Sequence, residues 1–113
     1  MNIQIFGTKK DFDSKKAERF FKERGIKYQF IDMKEKGMSK GEFQSVIQSV
    51  GGLDNLLDGG CKDKELLVLL RHLSPEDRWQ KILENQKVIR TPVVRNGKQA
   101  TVGYNPDVWK TWE

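Results

Sequence analysis

The chain has 113 residues, 36% of them hydrophobic and 33% charged, with a formal net charge of +5. That length suits one domain, and the apolar residues fall in periodic clusters, so the chain reads as polar but not disordered. No apolar run approaches the roughly 20 residues of a membrane-spanning helix, and the single cysteine, Cys61, excludes an internal disulfide.

Positive charge raises nucleic acid as a partner. The basic residues are nevertheless spread along the chain and mixed with 16 acids. They read as a solvated surface and not as a site for direct nucleic-acid binding. The opening residues lack the basic start and apolar stretch of a signal peptide, so the cytoplasm is the expected compartment. A lone thiol fits a reducing compartment.

Ile3, Ile5 and Phe6 read as a first strand that ends at Gly7. A polar turn follows, and Asp11 or Asp13 caps a helix whose apolar face is Ala17, Phe20 and Phe21 and whose stop is Gly25. Tyr28, Phe30 and Ile31 form a second strand, and strand–helix–strand in this span predicts a right-handed βαβ unit. Ser39 and Glu42 then make a capping box, with Met38 and Phe43 as its hydrophobic staple. Val46, Ile47 and Val50 continue that helix to Gly51-Gly52.

Residues 53–85 read as a small helical insertion. Asp63 caps a helix carrying Leu66, Leu67, Leu69 and Leu70. Ser74-Pro75 opens another with Trp79, Ile82 and Leu83. Pro92-Val93-Val94-Arg95 is a strand and residues 98–102 are its partner. Asn96-Gly97 lies between them as a type I′ turn. Asn105-Pro106 opens a last helix with Val108, Trp109 and Trp112. The three tryptophans sit at helical spacings and are expected to pack in the core or dock helices. These elements predict an α/β fold, a mixed four-stranded sheet with helices on both faces in three layers, forming one domain over residues 1–113.

Three stretches carry a resemblance to a known family. Residues 5–17 run Gly7-Thr8-Lys9-Lys10-Asp11 to Lys16-Ala17. Residues 84–94 approach Thr91-Pro92, and residues 96–106 end in Gly103-Tyr104-Asn105-Pro106. In order and spacing they resemble the arsenate reductase/Spx (ArsC/Spx) family of thioredoxin-like, glutaredoxin-like proteins. The resemblance implies a thiolate nucleophile at the N-terminus of the first helix, where the dipole lowers the thiol pKa and free N–H groups hold an anion. That position is Asp11 here, and the second position of a CxxC motif is Ser14.

A carboxylate cannot form a mixed disulfide. Asp11 and Asp13 would also repel an arsenate-like anion by about 4 kcal/mol per close pair at an effective dielectric near 20. As an N-cap, Asp11 stabilises the helix by roughly 1 kcal/mol. The anion-binding arginines of arsenate reductases map to Thr91 and Tyr104. Arg90 is one residue early, which turns it away along a strand. Thr91-Pro92 matches the fold's cis-proline dipeptide, retained here for the fold.

Cys61 follows Asp58-Gly59-Gly60 and reads as a free thiol on an exposed, flexible turn. His72 stands alone, so neither a metal nor another cofactor is expected. The first expected function is an interaction or regulatory module inactive as a reductase. By resemblance to Spx, its partner would be the C-terminal domain of the RNA polymerase α subunit. The alternative is an arsenate reductase-like, thiol-dependent oxidoreductase using Cys61 or a thiol supplied in trans. A third, hydrolytic use of Asp11, lacks a visible partner base.

Overall fold

A computed structural model describes residues 1–113. β1 (Ile3–Gly7) is followed by α1 (Phe12–Glu23), β2 (Tyr28–Asp32) and α2 (Lys40–Val50). A 3-10 turn (Leu53–Leu56), α3 (Lys64–Arg71), α4 (Pro75–Glu84) and a second 3-10 turn (Gln86–Val88) make up the helical segment. β3 (Val93–Asn96), β4 (Gln99–Val102) and α5 (Pro106–Lys110) complete the chain. The sheet order is β2-β1-β3-β4. β1 pairs with β2 in parallel, while β3 is antiparallel to both β1 and β4.

Register assigns the two faces. Ile5 lies opposite Phe30 and Val94, and Phe6 opposite Ile31 and Val93. Side chains alternate along a strand. Ile3, Ile5 and Val94 therefore join Ala17, Phe20, Phe21 and Trp109 on one face, under α1 and α5. Phe6, Ile31 and Val93 join Phe43, Val46 and the helical segment on the other. The Trp109 indole is fully buried and donates to Thr101 Oγ1 at 2.8 Å, while its ring packs 5.2 and 5.4 Å from those of Phe20 and Phe21.

The helix ends follow local chemistry. Asp11, not Asp13, caps α1. The Ser39–Glu42 capping box is formed, and the staple residues Met38 and Phe43 are both buried. Asp63 and Ser74 cap α3 and α4 through the N–H groups of Leu66 and Asp77. Gly51 ends α2 with φ +86°, a left-handed conformation that glycine adopts without steric cost.

Three local expectations are corrected. Asn96 pairs with Gln99, so the hairpin turns on Gly97-Lys98. Gly97 has φ +60° and no non-glycine residue has positive φ, a pattern that fits type II′ and excludes type I′. Leu69 is 42% exposed, because the α3 stripe facing the core is Leu66 and Leu70, one helical turn apart. Cys61 is buried at 9% exposure and not on an exposed turn. The Asp58 turn, closed by Cys61 N–H on Asp58 O at 3.0 Å, folds it back against the cluster that holds Leu56 and Val88.

Candidate functional site

The four positions that the sequence singled out meet at one end of the sheet. Gly7 ends β1 and sits so close to α1 that an added Cβ would overlap the Ser14 hydroxyl. Ser14 is fully buried, and its Oγ accepts from the Thr8 N–H at 3.3 Å. This contact fixes the first turn of α1 against the strand that feeds it.

Asp11 is half-buried at the helix start, and its Oδ2 accepts three hydrogen bonds. The Ser14 N–H donates at 3.2 Å, the Ser14 hydroxyl at 2.7 Å and the Thr91 hydroxyl at 2.8 Å. Thr91 lies 80 residues away in sequence and precedes Pro92 through a cis peptide bond. Pro92 O in turn accepts from the Gly103 N–H at 2.8 Å. One carboxylate oxygen therefore ties the α1 N-terminus to the loop that enters β3. Bonds to an ionised acceptor are about twice as strong as neutral ones.

The two positions that the resemblance matched to anion-binding arginines, Thr91 and Tyr104, make other contacts. Thr91 donates to Asp11. Tyr104 stands edge-on against Trp109, with ring centroids 5.6 Å apart. Arg90 is exposed and lays its guanidinium on Gly103, where an added Cβ would come within 3.0 Å of Arg90 Cζ. It makes no ion pair with Asp11.

Cys61 belongs to a different layer, within the cluster beneath α2 and the helical segment. Its Sγ donates weakly to Lys87 O at 3.7 Å. Lys87 Nζ pairs with Asp63 at 2.9 Å across the surface beside it. The bond to Asp63 holds the Lys87 ammonium above its usual pKa, and the same bond holds Asp63 below the usual carboxylate value. A cleft of about 450 Å³ is lined by Thr8, Thr91, Lys34, Asp58 and Lys87 among others. His72 is exposed, and no group of three or more His, Cys, Asp or Glu side chains is placed to hold a metal ion.

The Thr91–Asp11 bond was not anticipated, because nothing local in sequence links the two residues. The Asp63–Lys87 pair was missed for the same reason. The exposed ring of Phe12, 77% accessible at the first position of α1, was also missed. A phenylalanine between two aspartates, off the Ala17–Phe21 stripe, was its available signal.

Sheet order, helix placement and the loop carrying the cis Thr91-Pro92 bond define a thioredoxin-like α/β fold. The chain belongs to the ArsC family, whose sequence model matches residues 7–112. It is 27% identical over 109 residues to the global transcriptional regulator Spx 2 of Oceanobacillus iheyensis, covering 95% of this chain and 80% of that protein. The fold superposes with a TM-score of 0.85 on an ArsC family related protein from Bacteroides fragilis, at 18% identity over 100% of this chain and 98% of that one. An arsenate reductase from Vibrio cholerae superposes at 0.79, with 26% identity over 96% and 94% of the two chains. No helix is long and apolar enough to cross a membrane.

Proposed function

We propose that this ArsC-family chain is inactive as a reductase and works as an interaction or regulatory module. The observation that carries this reading is the engagement of Asp11 Oδ2 by Ser14 N–H, Ser14 Oγ and Thr91 Oγ1 at the start of α1. A reductase of this fold needs a thiolate there, to attack a disulfide sulfur and form a mixed disulfide as the other sulfur leaves as a thiolate. A carboxylate oxygen forms no such bond. Its negative charge also opposes the anion that a free helix N-terminus would attract. Asp11 acts instead as a helix cap and a cross-link. Thr91 and Tyr104 supply no positive charge for an oxyanion, which supports the same reading.

The resemblance to Spx makes the C-terminal domain of the RNA polymerase α subunit the candidate partner, and the relative named as a global transcriptional regulator fits a regulatory role. A steady-state assay with arsenate, glutathione and glutaredoxin tests the catalytic half of the proposal. The expected turnover is that of the blank. Turnover above the blank would sink it, and loss of that turnover in Cys61→Ser would assign it to that thiol. Calorimetric titration with the purified polymerase domain tests the partner. Absence of binding there removes the partner and leaves the non-catalytic reading standing.

A further inference from the structure

Beside the α1 N-terminus lies an exposed surface that the packing of the fold does not consume. Phe12 is 77% exposed and Tyr104 43%. Lys16 stands between them, its Nζ 5.4 Å from the Tyr104 centroid and 5.9 Å from that of Phe12. Such contacts keep the ammonium aimed at the rings. Phe12 and Lys16 are one helical turn apart, as are Lys16 and Arg19, so all three share one stripe of α1. The stripe descends into a hollow of about 320 Å³ between α1 and α5, where Arg24 and Lys110 add positive charge and Glu23 is the one acid. Arg24 is paired with Glu113 at 3.3 Å and Lys110 faces Asp107 at 3.9 Å. Lys16 and Arg19 have no acidic partner.

We infer that this face docks an acidic protein segment that carries an apolar side chain among its carboxylates. The apolar group would cover Phe12 and Tyr104, and the carboxylates would meet Lys16 and Arg19. The inference rests on the reading of the chain as an interaction module and adds the surface and the chemistry of the partner. Two exposed rings on rigid supports match the aromatic anchors of interfaces, and uncompensated cations around them set the sign of the partner's charge. Tyr104 is braced by the buried Trp109, so little side-chain freedom is lost when it is covered. Rings beside lysines also suit single-stranded nucleic acid. Asp11 and Asp13 flank Phe12, however, and Glu23 sits in the hollow. A strand of evenly spaced phosphates would meet these carboxylates, whereas a peptide can place its acids only where the cations are.

The test is an amide NMR titration of the full chain with three probes: a short capped peptide of glutamates interrupted by leucine and phenylalanine, its glutamine counterpart, and oligo-dT. The acidic peptide should shift amides of residues 12–19 and 104–110. The glutamine peptide, and the acidic peptide on K16E/R19E protein, should each bind at least about tenfold more weakly. Phe12→Ala should weaken binding about fivefold or more. Both charged positions and Phe12 are exposed, and the dispersion of the amide spectrum verifies that each variant is folded. Peptide shifts confined to another face, affinity unchanged in K16E/R19E, or tighter binding of oligo-dT than of peptide would overturn the inference. Failure here with a silent reductase assay removes this surface alone, whereas reductase turnover removes the reading beneath it.

Discussion

Replacing Asp11 with alanine is the perturbation whose consequence the structure sets most fully. The substitution removes an N-cap, which costs roughly 1 kcal/mol. It also leaves the Thr91 and Ser14 hydroxyls without their shared acceptor at 2.8 and 2.7 Å. Hydrogen bonds to a charged acceptor contribute a net of about 1.5–3 kcal/mol each where they are buried. Asp11 is half-buried, so water recovers much of that, and about 1–2 kcal/mol is assigned to the pair. The expected total is about 2–3 kcal/mol, or about 10 °C in Tm for a domain of this size. Urea unfolding followed by far-UV circular dichroism measures it, with the slope unchanged. Asp11→Asn, still a good cap, should cost less than about 1 kcal/mol. Thr91→Val should cost about 1 kcal/mol, and the Asp11→Ala/Thr91→Val double variant should fall short of additivity by a similar amount. An Asp11→Ala cost below about 0.5 kcal/mol, or strict additivity with Thr91→Val, would refute the cross-link.

The same geometry predicts more. Gly7→Ala should destabilise by about 2 kcal/mol, because its Cβ would overlap the buried Ser14 hydroxyl and push α1 away from β1. Denaturant titration reads the loss, and Gly59→Ala, which meets nothing within 4 Å, is the control. Trp109→Phe should cost about 2–4 kcal/mol, since it strips the Thr101 hydroxyl of its indole donor and opens space between Phe20 and Phe21. Differential scanning calorimetry measures that change. Burial works against ionisation of Glu42, but hydrogen bonds from Ser39 and Gln4 and the charge of Arg95 outweigh it and hold the carboxyl below its ordinary 4.5. A depressed folded-state pKa stabilises above the unfolded value and is lost as pH falls through the folded one. Glu42→Gln should therefore lower stability at pH 7 and flatten its decline below pH 4.5, as measured by urea midpoints across that range.

What was legible in the sequence was local. The caps at Asp11, Ser39, Asp63 and Ser74 are each a side chain reading an N–H three residues on, so residue type and spacing carry the information. The βαβ opening and the final hairpin follow from periodicity in the same way. The hairpin turn slipped by one residue because Asn96-Gly97 and Gly97-Lys98 both offer a positive-φ glycine. Only pairing of Asn96 with Gln99 decides between them. Cys61 was misplaced because two glycines before it suggested freedom. The hydrogen bonds around Asp58 and the cluster with Leu56 and Val88 take that freedom away. At the site, Asp11, Ser14, Thr91 and Pro92 were identified by resemblance to a family pattern, but the bond joining Asp11 to Thr91 spans 80 residues and depends on β1 and β3 lying side by side.

The central claim is that the start of α1 has no sulfur nucleophile and that the only thiol, Cys61, is withdrawn into the core. Intact-mass spectrometry of the folded protein in glutathione disulfide tests it most directly, with Asp11→Cys as the positive comparison. The account predicts a rapid glutathione adduct on Asp11→Cys, whose thiol sits at a helix N-terminus, and none on the parent until it unfolds. A parent protein that acquires glutathione at Cys61 as fast as the variant acquires it at position 11 would contradict it.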